Sequence, residues 1–78
     1  MFKFCELYDG PHWHTIKDGF PRLSAAEAYA LDWFKSHGYE IVDRDATFAS
    51  ATDVKRGIDY MTSKGDAFYQ FCVEESRA

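Results

Sequence analysis

Two histidines flank a tryptophan near the start of the sequence, in the order His12-Trp13-His14. On a strand, residues two apart face the same side, so both imidazoles can reach one metal ion, with Cys5 or His37 as a third ligand. The alternative is two partly exposed histidines around a buried tryptophan. Because a His-x-His pattern with no further fixed spacing is weak evidence, we predict no metal and no other cofactor.

The two cysteines of the chain, Cys5 and Cys72, form no Cys-x-x-Cys motif, and neither begins a helix that would lower the pKa of its thiol. They can pair, form a redox couple or serve as small residues of a strand. Disulfide-built secreted domains usually carry four or more cysteines, and the N-terminus lacks the apolar stretch of a signal peptide. We therefore expect inert free thiols in a cytoplasmic protein.

A cysteine nucleophile is a further interpretation, with Cys5 activated by His14 or His37. Such a site also needs an orienting group, an oxyanion hole and a pocket. The sequence contains no nucleophile elbow, no glycine-rich phosphate loop and no metalloprotease helix pair. We predict that the chain is not an enzyme.

The chain is acidic, with 13 acidic and 9 basic side chains and a net charge of −4. A field of this sign repels phosphate backbones and steers the chain toward basic surfaces, which disfavours direct nucleic-acid binding. Clustered carboxylates can mimic a line of phosphates and meet an arginine-rich surface, although a solvated polar face is the alternative. The acidic candidates for partner binding are Glu40, Asp43, Asp45 and Asp53.

Aromatic residues make up 18% of the 78 residues. A domain of this size buries only about 60% of the surface of its unfolded chain, so we expect some rings to lie outside. Exposed Tyr and Trp residues mark interfaces, whereas the alternative is a core that relies on rings. The aromatic candidates for partner binding are Trp13, Phe20, Tyr29, Trp33 and Tyr39.

The first half of the chain predicts two strands and a helix. Alternation indicates a strand over 2–8, the turn residues Asp9-Gly10-Pro11 follow, and 12–16 can pair back as a second strand before a turn at Asp18-Gly19. Ser24 and Glu27 form a capping box at the start of the first helix, whose apolar stripe is Ala28, Leu31 and Phe34. Gly38 ends this helix in a left-handed conformation.

The second half predicts a strand, a helix and a strand. The strands cover 39–44 and 67–74, the latter with Ala67, Tyr69, Phe71 and Val73 on its buried face. The helix covers about residues 51–64, with a capping box at Ser50 and Asp53 and one face formed by Val54, Ile58 and Met61. Gly57 inside that helix costs about 1 kcal/mol relative to Ala, which a close approach to the sheet or a partner would explain.

These elements predict a single domain over residues 1–78, of the α+β or α/β class. We expect a two-layer sandwich in which two helices pack on one face of a mixed sheet of three to four strands. The first and last strands are expected to be neighbours in the centre of the sheet, because sheet edges usually carry charge.

The strand, the Ser24-x-x-Glu27 helix that ends at Gly38, and the segment Tyr39-Glu40-Ile41-Val42 stand in a chain of under a hundred residues. In this the sequence resembles the small acidic proteins of phages and mobile elements that inhibit host defence or transcription, including anti-CRISPR proteins. The resemblance implies steric block or nucleic-acid mimicry at a basic complex in the host cytoplasm. It carries over no functional residue.

The sequence therefore predicts a non-enzymatic inhibitor or adaptor that docks on a protein partner with a basic surface, through exposed aromatic rings rimmed by acids. One alternative is a metal- or redox-responsive protein that uses Cys5, His12, His14 and Cys72. Another is a homodimer whose interface absorbs the surplus of rings.

Overall fold

The computed structural model describes residues 1–8, 12–47 and 57–76. These residues form one antiparallel sheet of five strands, in the spatial order β2-β1-β5-β4-β3, and one helix. The pairing of β1 with β5 joins an N-terminal hairpin to a C-terminal three-stranded meander. In chain order the elements are β1 (Phe2–Tyr8), β2 (His12–Phe20), α1 (Leu23–His37), β3 (Glu40–Thr47), β4 (Gly57–Lys64) and β5 (Ala67–Glu75).

The helix α1 packs on one face of the sheet through residues that recur every four positions. Ala26, Ala30 and Phe34 are buried, and the two small alanines let the helix backbone approach the strands closely. Gly38, with φ of 80°, ends the helix in the left-handed conformation predicted from the sequence.

The core between helix and sheet is built from aromatic rings around Phe4, which is fully buried. Phe71 stacks on Phe4 at a centroid distance of 5.7 Å, whereas Trp33 and Phe34 meet it edge-on at 5.5 Å. Edge-to-face and offset-stacked rings attract beyond the area they bury, which helps so short a chain to build a stable core.

A polar contact ties the helix to β3 and β4. Arg44 donates from Nε and Nη2 to the two carboxylate oxygens of Glu27, at 2.7 and 3.0 Å. The hydroxyl of Tyr60, a residue with no exposed surface, donates to Glu27 Oε2 at 2.7 Å. Glu27 is therefore the acceptor for groups on two strands.

The predicted fold class is wrong in the number of helices and in the type of sheet. The described residues hold one helix rather than two, and their sheet has five strands with antiparallel pairing throughout rather than three to four in a mixed arrangement. Residues 57–64, assigned to a second helix, form β4, in which Ile58, Tyr60 and Thr62 are buried at every second position. Residues 51–56, with Ser50 of the predicted capping box, lie outside the described residues.

The predicted start of the first helix is also wrong. The helix begins at Leu23, and its N-cap residue Arg22 is extended and makes no side-chain capping hydrogen bond. Ser24 therefore lies inside the helix rather than at its N-cap, and the carboxylate of Glu27 binds groups on β3 and β4. Of the predicted stripe, Ala28 and Leu31 are exposed, and the buried face is rotated to Ala26, Ala30 and Phe34.

The strands agree better with prediction. The first strand matches its predicted range, and its adjacency to β5 is confirmed. The second strand runs on to Phe20, so Asp18-Gly19 lies within a strand, where Gly19 has φ of 89° and the pairing with β1 shifts register nearby. Ala67 and Tyr69, predicted as buried, are exposed on β5. Asp9-Gly10-Pro11 lies outside the described residues.

Candidate functional site

A row of five side chains crosses the sheet on the face opposite α1, which we call the distal face. Neighbours in this row are directly opposite in paired strands, and such residues share one face of a sheet. The described residues place no helix on this face. From β2 to β3 the row reads Thr15, Cys5, Cys72, Asp59 and Asp45.

The two thiols lie at the centre of this row. Cys5 and Cys72 are free and buried, although they belong to the distal face. The Sγ of Cys5 lies 3.7 Å from Thr15 Oγ1, within hydrogen-bond distance for sulfur. Both Sγ atoms and a carboxylate oxygen of Glu74 lie within 4.8 Å of one another. The structure thus brings together two sulfur donors and one oxygen donor.

Because the two thiols lie close together, the pKa of one is lowered and the pKa of the other is raised. A hydrogen bond from Cys72 stabilises the thiolate of Cys5 and, against the opposing effect of burial, lowers the pKa of Cys5 to about 7. The same bond, together with burial, raises the pKa of Cys72. Of the two sulfurs, Cys5 is therefore the one that ionises more easily, and Cys72 keeps its proton and donates it in a hydrogen bond to Cys5.

Carboxylates occupy the β3 and β4 side of the distal face. Asp45 and Asp59 are directly opposite each other, and Asp43 lies opposite Met61 on the same face. Burial raises the pKa of Asp59, and the charges of Asp45 and Glu74 raise it further. This side of the sheet therefore concentrates negative charge.

We call Glu40, Asp43 and Asp45 on β3, with Asp59 on β4, the acidic strip, and a bulge in β3 aligns Glu40 with the others. Ile41 is opposite Thr62, Asp43 is opposite Met61, and the register shifts between them. In a regular strand Glu40 and Asp43, three residues apart, would lie on opposite faces. Because Val42 is an extra residue in β3, they share the distal face. Three of the four acidic residues predicted from the sequence, Glu40, Asp43 and Asp45, thus lie on one face, and Asp53 lies outside the described residues.

The five aromatic residues predicted as anchors divide between the two sides of the sheet. Trp13 lies opposite Leu7 on the distal face and is 43% exposed. The other four are partly buried on the helix side, packed against the core and away from the acidic strip; they are Phe20, Tyr29, Trp33 and Tyr39. Their proposed role in binding a partner stays a prediction.

The histidines do not join the cysteines. His14 and His12 lie opposite Glu6 and Tyr8, and they therefore point to the side of the sheet opposite to Cys5. The Nδ1–H of His37 donates to the carbonyl oxygen of Trp33 at 2.8 Å, and the imidazole stacks on the ring of that tryptophan. The combination of His12, His14 and Cys5 around one ion is therefore not assembled in this arrangement.

No protein-family model, curated protein or solved structure matches the chain. In the part of the chain that the structure describes, no helix is both long and apolar enough to cross a membrane.

Three residues of the distal face were not among the site residues predicted from the sequence. Glu74 follows Cys72 at the strand spacing of two, a signal that was available once β5 was assigned. Asp59 was not placed beside Asp45 because its segment was assigned to a helix. Phe68, opposite Ser63 on the distal face, is 68% exposed, and it lies on the side of β5 opposite to Tyr69 and Phe71, which were predicted as buried.

Proposed function

We propose that the chain is a non-enzymatic protein-binding inhibitor or adaptor whose distal face docks on a basic surface of another protein. The observation that carries this proposal is the pairing of Asp45 with Asp59 across two neighbouring strands, flanked by Asp43 and Glu74. The net charge of −4 acts in the same direction.

Like charges directly opposite in a sheet destabilise it. The raised pKa of Asp59 expresses this cost, because its carboxylate is disfavoured by burial and by its acidic neighbours. A partner that presents arginine or lysine side chains would offset this repulsion between carboxylates with attraction to its own positive charges. Charge complementarity of this kind mainly increases the association rate and the specificity.

The distal face also carries apolar groups that a partner can cover. Trp13 at the β2 edge and Phe68 on the central strand β5 are 43% and 68% exposed. Aromatic residues are enriched among the side chains that dominate binding energy in interfaces. The face thus combines two exposed aromatic rings with an acidic strip at the β3 edge. Four strand spacings separate β3 from β2, which amounts to about 19 Å across the sheet.

A partner whose basic surface normally grips nucleic acid would lose that ligand when the acidic strip takes its place. Support for this form of the proposal comes from the carboxylates and from the acidic composition, since direct binding of nucleic acid is disfavoured by the same charge. The phage-inhibitor resemblance stays a prediction.

The test is a matched pair of charge reversals measured against a partner captured from the native host. The double variant Asp43→Lys/Asp45→Lys changes the acidic strip. The double variant Asp32→Lys/Asp66→Lys makes the same change in net charge at an exposed helix position and at the β4–β5 turn. Binding is followed by surface plasmon resonance at several salt concentrations.

We expect the strip variant to slow association by about tenfold or more and to flatten its salt dependence, whereas the control variant keeps most of the wild-type rate. Asp45→Lys places the new ammonium opposite Asp59, so the fold should not lose stability. Equal rates and equal salt slopes for both variants would remove the acidic strip from the mechanism. Competition with the nucleic acid of the partner then separates mimicry from a block elsewhere on its surface.

A further inference from the structure

We propose that Cys5, Cys72 and Glu74 form a binding site for a thiophilic metal ion of the zinc class. The site lies at the centre of the distal face, and its evidence is independent of the docking function. It differs from the sequence-based alternative, because both histidines of that alternative lie on the other side of the sheet and Glu74 takes their place.

The positions of the donor atoms fit a single ion. The two Sγ atoms and a Glu74 carboxylate oxygen lie within 4.8 Å of one another. In a tetrahedral zinc site with Zn–S bonds of about 2.3 Å, the two sulfurs are about 3.8 Å apart. Side-chain shifts of about an ångström or less therefore bring the donors into coordination, and Glu74 has the rotatable bonds to supply them.

The backbone beneath these donors is fixed by strand pairing. Cys5 is directly opposite Cys72, and Lys3 is directly opposite Glu74, in the ladder between β1 and β5. These two strands are interior in the described sheet, each with a partner on both sides. Ligands held by paired strands are positioned more accurately than ligands on loops.

The types of donor select the class of ion. Two cysteine sulfurs, which give up their protons when they bind a metal ion, disfavour magnesium and calcium, because these ions prefer oxygen ligands. A carboxylate suits zinc better than copper(I), which favours an all-sulfur site. Three protein ligands leave a fourth position for water, as in open zinc sites. The carboxylate of Asp59, opposite Cys72 in the same row, adds negative charge that attracts a cation.

Two features of the site act against an ion. Lys3 Nζ lies 3.8 Å from Glu74 Oε1, so the long lysine side chain must turn away when Glu74 coordinates. The thiols can also form a disulfide, because opposite residues of antiparallel strands have Cα separations of about 4.5–5.5 Å, within the disulfide range. A disulfide needs no carboxylate, so an effect of substituting Glu74 would distinguish metal binding from disulfide formation.

The test uses the full chain, reduced and freed of metal, titrated with cobalt(II) chloride and then with zinc chloride. Cobalt(II) bound to thiolate gives a charge-transfer band in the near ultraviolet, zinc displaces it, and native mass spectrometry gives the stoichiometry. The variants are Cys72→Ser and Glu74→Gln. The matched controls are Glu75→Gln, the adjacent carboxylate on β5, and His12→Ala/His14→Ala.

We expect one zinc per chain, loss of the charge-transfer intensity in Cys72→Ser, and a zinc affinity at least tenfold weaker in Glu74→Gln, with both controls within about twofold of wild type. Glu74 is partly exposed, so its substitution leaves the core intact.

Several results would overturn the site. They are the absence of stoichiometric zinc in the reduced chain, an equal affinity in Glu74→Gln and Glu75→Gln, or loss of binding in the histidine variant. None of these results depends on a partner, so the docking function can fail while the metal site holds, or the reverse.

Discussion

Removal of the Glu27 carboxylate tests how the helix is attached to the sheet. In the variant Glu27→Ala, Arg44 loses a bidentate ion pair and the Tyr60 hydroxyl loses its acceptor. The two losses differ in size because the side chain of Arg44 is 46% exposed, whereas Tyr60 has no exposed surface. We therefore expect the buried hydroxyl, rather than the ion pair, to dominate the effect.

The magnitude follows from this difference in exposure. An exposed ion pair contributes about 0.2–1 kcal/mol, and a buried hydroxyl left without a partner costs about 1–3 kcal/mol. We expect Glu27→Ala to lower the free energy of unfolding by about 2 kcal/mol. For a domain of this size that corresponds to a fall in Tm of about 8–16 °C.

The assay is urea unfolding of single and double variants. Adding Tyr60→Phe to Glu27→Ala removes the stranded hydroxyl, so the double variant should recover part of the loss instead of adding to it. Glu27→Gln keeps an acceptor for Tyr60 and measures the charge alone. A cost of Glu27→Ala below about 0.5 kcal/mol, or an additive double variant, would show that the hydroxyl finds water and would refute this account.

The pH dependence of Glu27 has a definite sign. Hydrogen bonds from Arg44, and less strongly from Tyr60, hold the pKa of the Glu27 carboxyl below its usual range, against the effect of burial. The stabilisation is therefore complete above the unfolded pKa of about 4.3 and is lost as the pH falls through the lower folded value. The stability gap between wild type and Glu27→Gln should be larger at pH 7 than at pH 3.

Three further outcomes are expected. A Cβ on Gly57 would lie 2.7 Å from the carbonyl oxygen of Val73, so Gly57→Ala should cost about 1–3 kcal/mol in urea unfolding. The two tryptophans should differ in fluorescence, because Trp33 packs among core rings and Trp13 is exposed. The variant Trp13→Phe, which keeps only Trp33, should emit at shorter wavelength and be quenched less by acrylamide than Trp33→Phe, which keeps only Trp13. Asp59→Asn should raise stability at pH 7 by a few tenths to about 1 kcal/mol, and this gain should shrink on acidification because the pKa of Asp59 is raised.

The parts of the fold that the sequence predicted are those with one dominant local signal. The alternation in β1 and the left-handed stop at Gly38 each depend on a few adjacent residues, and both were confirmed. The close approach expected at Gly57 does occur, but between β4 and β5 rather than on a helix.

The errors came from residues whose partners lie far away in the sequence. Ile58 and Met61 have helical spacing, yet Ile58 and Tyr60 also alternate, and only the pairing with β5 decides for a strand. Glu27 satisfies the local capping pattern with Ser24, but Arg44 and Tyr60 compete for its carboxylate from distant strands. Local propensity is overridden where tertiary contacts offer more.

The candidate site was predicted in part for the same reason. Glu40, Asp43 and Asp45 were grouped because they are close in the sequence, and β3 runs to Thr47 and carries all three, although the bulge that aligns Glu40 with the other two was not predicted. Cys5 and Cys72 were assigned to neighbouring central strands, whereas the position of Cys5 directly opposite Cys72, and so its proximity to Glu74, depends on strand register, which the sequence does not specify.

The distal face combines features that a fold selected for stability alone would avoid. Asp45 lies opposite Asp59 in the pairing of β3 with β4, and Phe68 is 68% exposed. The isolated chain is therefore destabilised by repulsion between two carboxylates and by contact of an apolar ring with water. The helix side shows the opposite pattern, since Glu27 there is matched by Arg44. If Asp59→Asn stabilises the chain and weakens the association of the partner, whereas Asp32→Asn does neither, the cost is borne for binding. If Asp59→Asn leaves both properties unchanged, the repulsion does not exist and the docking proposal loses its main support.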